Sequence, residues 1–121
     1  MSGARIAPWL SVDSGARAVE FYTRALGAET VDQLDGAAGV VEVARLRVGD
    51  AEFWLQDEPS DAGVAARVRM IVTVEDPDAW YDRAIAAGAT EVAAVHEEYG
   101  WRTGRVRDPF GHDWEFSRQV G

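Results

Sequence analysis

Apolar residues recur along this chain at two periods, and the changes from one period to the other mark out its elements. From Val19 through Tyr22 to Leu26 the spacing is helical, with Asp13 and Ser14 ahead as N-cap oxygens and Gly27 behind, where a left-handed C-cap belongs. The same order returns as Asp76-Pro77, Trp80, Ala84 and Ile85, then Gly88, and predicts a second helix. Period-two segments bounded by turn residues predict strands at 6–12, 41–48, 52–56, 67–74, 104–107 and 113–117, with a further strand after each Gly-Ala. Gly49-Asp50 and residues 108–112 read as turns, 57–65 as a connector and 96–103 as a loop.

These elements repeat. Val12 to Val74 is 62 positions, Gly27 to Gly88 is 61 and Val31 to Val92 is 61. So steady an offset predicts two copies of one βαβββ module, at approximately 1–60 and 61–121, within a single domain spanning 1–121. Strand parity then sorts the side chains. One face collects Leu10, Val12, Ala44, Leu46, Val48, Phe53, Leu55, Met70, Val72, Val74, Trp114 and Phe116, and is the predicted core. The other carries Ala7, Trp9, Ser11, Glu52, Trp54, Gln56, Arg67, Arg69, Ile71, Asp113, Glu115 and Ser117, a mixed aromatic and charged surface suited to a ligand.

Composition narrows the chemistry. The 121 residues are 47% hydrophobic and 27% charged, and no apolar run approaches the ~18 residues of a membrane span. Twelve basic against twenty-one acidic residues give a net charge of −9, which argues against nucleic acid as a partner. With no cysteine, thiol chemistry is excluded and His96 and His112 are the two imidazoles available to a metal. The N-terminal MSGARIAPW has no apolar core of a signal peptide, so a cytoplasmic location is expected.

The segments AVEFYTRALGAE and YGWRTGRVRDPFGHDWEF, set in a paired βαβββ pattern, together resemble the vicinal oxygen chelate superfamily. This is the glyoxalase, bleomycin-resistance and extradiol-dioxygenase group, and the DPFGH turn resembles its phosphonate-cluster glyoxalase-like branch. The resemblance covers essentially the whole chain. It implies an α+β fold in which two βαβββ modules form a curved mixed sheet around a cleft, and it implies a homodimer. Members that do metal chemistry hold the ion with residues on the first and last strands of each module, places that fall here on Ala7, Trp54, Arg69 and Glu115. Glu115 alone of the four has a ligating atom, and Arg69 brings a permanent positive charge, so no metal and no cofactor is expected.

In place of an ion, Arg69 and Glu115 are expected to pair. Either they neutralise one another, or Arg69 also presents donors to an acidic or carbonyl-bearing ligand. Trp114 falls on the core face and Trp80 on a helix, whereas Trp9 and Trp54 face outward and Trp101 lies in the predicted loop. Indoles so placed either sandwich a planar ligand or bury against another module or subunit. His96 with Glu97, Glu98 and Tyr99 reads as a solvated loop or an acid/base cluster, and the His112 ring as a cap on its turn. Arg45, Arg47, Arg67, Arg69, Arg105 and Arg107 share the outward parity and predict a cationic surface, unless neighbouring acids pair with them.

The expected function is metal-independent binding or sequestration of an aromatic small molecule, an antibiotic or other natural product. Its ligand-binding residues are Trp9, Trp54, Arg69, Trp101 and Glu115. The alternative is a glyoxalase-like lyase or isomerase using Glu115, with or without a divalent metal. A general base is favoured by burial, which raises a carboxyl pKa, and opposed by an adjacent guanidinium, which lowers it.

Overall fold

A computed structural model of the chain describes residues 6–58 and 68–121. The chain divides into two compact units, Met1–Thr23 with Gly27–Gly63 and Arg24–Leu26 with Val64–Gly121. Arg67, most of the predicted connector and the first five residues lie outside the described residues.

The first unit is built on β1 (Trp9–Val12), α1 (Gly15–Leu26), β2 (Glu29–Asp35), β3 (Val41–Val48) and β4 (Ala51–Asp57), with a short 3-10 turn at Ala37–Gly39. Its sheet runs β1-β4-β3-β2, parallel between β1 and β4 and antiparallel elsewhere. The first strand starts three residues later than the sequence predicts. Pro8 precedes it without an N–H to give to a ladder, and its carbonyl takes the Trp54 N–H at 2.9 Å. Ser14 caps α1 by accepting the Arg17 N–H, and Gly27 ends it at φ 68°. Gly15 allows the start of that helix to close on β3, since a Cβ there would stand 2.6 Å from the Val41 Cβ.

The second unit repeats the plan with β5 (Arg69–Thr73), α2 (Pro77–Ala87), β6 (Thr90–Glu98), β7 (Trp101–Arg107) and β8 (Asp113–Gln119). Its order, β5-β8-β7-β6, again pairs first and last strands in parallel. Asp76 caps α2, Pro77 opens it and Gly88 stops it. Both units therefore have the predicted βαβββ plan, in an α+β fold of two four-stranded mixed sheets.

Residues 96–103, predicted as a loop, are instead a β-hairpin: His96–Glu98 end β6, Trp101 begins β7, and Tyr99-Gly100 form a two-residue turn. Both turn residues have positive φ, 50° and 82°, which matches the twist of a tight hairpin. The predicted core face holds at Leu10, Val12, Ala44, Leu46, Phe53, Leu55, Trp114 and Phe116, all buried. Val48, Met70, Val72 and Val74 are only half-buried, the first beside a turn and the others on or just past an outer strand of their sheet. Tyr22 of α1 meets Phe53 edge to face, and Trp80 of α2 meets Phe116, so helix and sheet interlock through aromatic rings in each unit.

Candidate functional site

Because side chains alternate along a strand, packing one face of each sheet leaves the odd-numbered positions of β1, β3, β5, β7 and β8 and the even-numbered positions of β4 facing outward. On the first sheet the register aligns Trp9 with Trp54, Trp54 with Arg45, and Arg45 with Asp32 in one row. The two indoles stack with centroids 5.9 Å apart and planes 15° from parallel, and Trp9 Nε1 donates to Gln56 Oε1 at 2.7 Å. The Arg45 guanidinium lies 5.3 Å from the Trp54 ring, bonded to Asp32 and 3.5 Å from Glu52. Trp9 stays half exposed, so the stack presents aromatic surface outward.

On the second sheet the corresponding face holds a pocket of about 230 Å³. All four strands and the tight turn build it: Ile71 from β5, Glu115 and Ser117 from β8, Trp101 and Thr103 from β7, Glu98 from β6, and Tyr99 from the turn. The turn sets Glu98 opposite Trp101, and the ladders carry Thr103 opposite Ser117 and Ile71 opposite Glu115. Ile71, Tyr99 and Trp101 are exposed apolar side chains gathered at one place. The Thr103 hydroxyl oxygen is buried and has no hydrogen-bond partner.

Charged neighbours fix the polar side chains. Arg69 Nε lies 3.6 Å from Glu115 Oε1, a diagonal contact, since Arg69 is in register with Asp113 and Ile71 with Glu115. Arg107 Nε donates to Asp113 Oδ1 at 2.7 Å, while Arg105 stands 3.3 Å from the other oxygen. Arg47 bonds Glu29 at 2.9 Å. The expected cationic surface is thus neutralised wherever these arginines are described, their partners being Asp32, Glu52, Glu29, Glu115 and Asp113. His96 Nδ1 lies 2.8 Å from the Ala94 carbonyl and Nε2 lies 2.9 Å from Glu98 Oε1, and these acceptors raise its pKa, the carbonyl most. On the opposite face Arg102 holds both Asp78 oxygens at 2.7 Å, fastening β7 to the first turn of α2, and its hydrogen bonds lower the Asp78 pKa. Burial, then the hydrogen bond to Glu91, pushes Tyr81 up to about 12.

Of the five residues singled out from the sequence, Trp9 and Trp54 meet on the first sheet, Arg69 and Glu115 meet on the second, and Trp101 shares the pocket with Glu115. Arg69 stands beside the pocket without lining it. Thr103 was hidden inside the predicted loop, and Glu98 and Tyr99 belong to a hairpin whose signal was the Tyr-Gly pair. Ile71 and Ser117 were legible as outward positions but not as pocket walls. His112 is buried, and the amides of Phe110 and His112 donate to the Asp108 carboxylate, which gives them the cap expected of the histidine ring. The other Asp108 oxygen accepts from Trp114 Nε1 at 2.8 Å.

The residues at the superfamily's ion-holding places do not fit a divalent ion. Ala7 has no donor atom, Trp54 is stacked on Trp9, and Arg69 directs its guanidinium at Glu115. Among the described residues no three His, Cys, Asp or Glu side chains are grouped to hold a metal. No helix among them is long and apolar enough to cross a membrane.

Residues 4–116 match the model of the Glyoxalase/Bleomycin resistance protein/Dioxygenase superfamily. An uncharacterized protein of Mycobacterium bovis is 35% identical over 95% of this chain and 83% of its own length. The crystal structure of TioX from Micromonospora sp. ML1 superposes with a TM-score of 0.80 at 30% identity, covering 98% of this chain and all of that one. The fosfomycin resistance protein FosX from Listeria monocytogenes shares the fold at a TM-score of 0.73 and 15% identity, over 99% of this chain and 96% of its own. With its paired βαβββ units and a match over nearly its full length, the chain belongs to the glyoxalase/bleomycin resistance protein/dioxygenase superfamily.

Proposed function

We propose that this chain binds and sequesters an aromatic small molecule, an antibiotic or other natural product, without a metal ion. The observation that carries the reading is the half-exposed Trp9 indole stacked on Trp54, on the outward face of a sheet whose other face is already packed. An exposed indole held rigid by a second ring and by Gln56 is a preformed platform, because little side-chain freedom remains to be lost when a planar ligand stacks on it. Trp101 and Glu115 supply a second set of contacts in the pocket, with the Arg69 guanidinium 3.6 Å from the Glu115 carboxylate. Resistance proteins among the fold's neighbours support a protective role. We place the chain in the phosphonate-cluster glyoxalase-like branch on its DPFGH turn, and read it as a cytoplasmic homodimer. Titration of the chain with planar aromatic antibiotics should give saturable tryptophan quenching that a chelator leaves unchanged. A strict metal requirement would overturn the reading, and elution at monomer mass would overturn the dimer.

A further inference from the structure

The pocket on the second sheet has a charge of its own. Its two ionisable carboxylates, Glu98 and Glu115, stand among the walls of Trp101, Tyr99 and Ile71, and no arginine or histidine is among the described residues that line it. Arg105, in register with Glu115, places its Nε 3.3 Å from Asp113 Oδ2, and Arg107 donates to Asp113 Oδ1. Arg69 reaches one Glu115 oxygen at 3.6 Å, beyond good hydrogen-bond length, and its side chain is half exposed. His96 holds one Glu98 oxygen at 2.9 Å. Each carboxylate therefore has a second oxygen to which these cations make no short bond, beside aromatic rings whose faces attract positive charge. A net charge of −9 draws cations to the whole molecule.

We infer that this pocket takes an organic cation: an aromatic amine or ammonium group whose ring lies against Trp101 and Tyr99 and whose charge sits between Glu98 and Glu115. The inference rests on the small-molecule-binding reading above and gives that ligand a charge. At about 230 Å³ the space equals roughly seven or eight waters at ~30 Å³ each, enough for one ring system with a short aminoalkyl arm.

The test is calorimetric titration at about pH 8 with three probes that share the indole ring: tryptamine as cation, tryptophol as neutral form and indole-3-propionate as anion. Tryptamine should bind about tenfold more tightly than tryptophol, and indole-3-propionate most weakly. Glu98→Gln and Glu115→Gln should each remove most of the preference of tryptamine over tryptophol, and Arg69→Ala should strengthen tryptamine binding by freeing Glu115. Equal affinity for all three probes, or preference for the anion, would overturn the cation assignment and leave aromatic binding standing. If planar antibiotics bind but none of the three probes does, the pocket is not the site. If no aromatic compound of either set binds, the proposed function falls as well.

Discussion

Asp108 is where a single substitution should cost the most for the fewest atoms changed. Its carboxylate is 4% exposed and accepts from the Phe110 amide at 2.9 Å, the His112 amide at 3.0 Å and Trp114 Nε1 at 2.8 Å. Asp108→Ala removes the acceptor for all three donors, of which the Trp114 indole and the His112 amide are buried. A buried donor left unsatisfied costs about 1–3 kcal/mol, so two of them predict a loss of roughly 2–6 kcal/mol. For a chain of this length that is a fall in Tm of about 8–24 °C. Asp108→Asn keeps an acceptor on one side only and should lose about half as much. The assay is urea unfolding followed by far-UV circular dichroism, with Trp114→Phe completing a double-mutant cycle. A coupling of about 1–2 kcal/mol between the two positions is expected. An Asp108→Ala protein less than about 1 kcal/mol weaker than the parent would refute the claim that this carboxylate holds the turn and the base of β8.

Four further outcomes follow from the geometry. Trp9→Ala and Trp54→Ala should each weaken a planar ligand by roughly three- to tenfold in fluorescence titration, the worth of one aromatic contact, while an unchanged affinity for both would remove the platform. Thr103→Val should raise stability by up to about 1 kcal/mol, since it deletes an unpaired buried hydroxyl; a destabilised variant would mean that the hydroxyl has a partner. Gly104→Val would place a Cβ 2.7 Å from Val95 Cγ2 and 3.0 Å from Tyr81 Cδ2, and denaturation should show a loss of about 1–3 kcal/mol or more. His96 has a raised pKa when folded, so its stabilisation is fully present below its ordinary value of 6.5 and is lost as pH rises through the higher folded value; His96→Gln should therefore be more damaging at pH 5.5 than at pH 9, and equal damage at both would contradict the bonds to Ala94 and Glu98.

Much of this scaffold could be read from the chain because its signals are local. Ser14 and Asp76 cap where capping residues were expected, Gly27 and Gly88 end the helices, and strand parity separates Leu10 and Leu55 from Trp9 and Trp54. The pairing of Trp9 with Trp54 follows from that parity once first and last strands lie side by side. The pocket was less legible because it depends on one turn. Tyr99 adopts a left-handed conformation that a tyrosine seldom takes, and with it unrecognised, Glu98 and Trp101 read as loop residues instead of cross-strand neighbours. Edge position explains the core errors: Met70 and Val72 have a strand on one side only, so parity places them inward while burial stays partial. The arginines show the remaining limit, since parity gives their face but not their partners, which come from diagonal contacts as well as direct register.

The parallel pairing of first and last strands sets an order of assembly. The hairpins β3–β4 and β7–β8 join neighbours across short turns and can form early, whereas β1 must travel back across α1, β2 and β3 to reach β4. Trp9 and Trp54 are 45 positions apart, and closing so long a loop has an entropic cost met only once a sheet exists to receive the strand. Docking of β1 is thus a late step, and the indole stack forms with it. The near-ultraviolet circular dichroism of the packed indoles would then develop after the backbone signal in stopped-flow refolding, making the Trp9–Trp54 stack a built-in clock for completion of the first sheet.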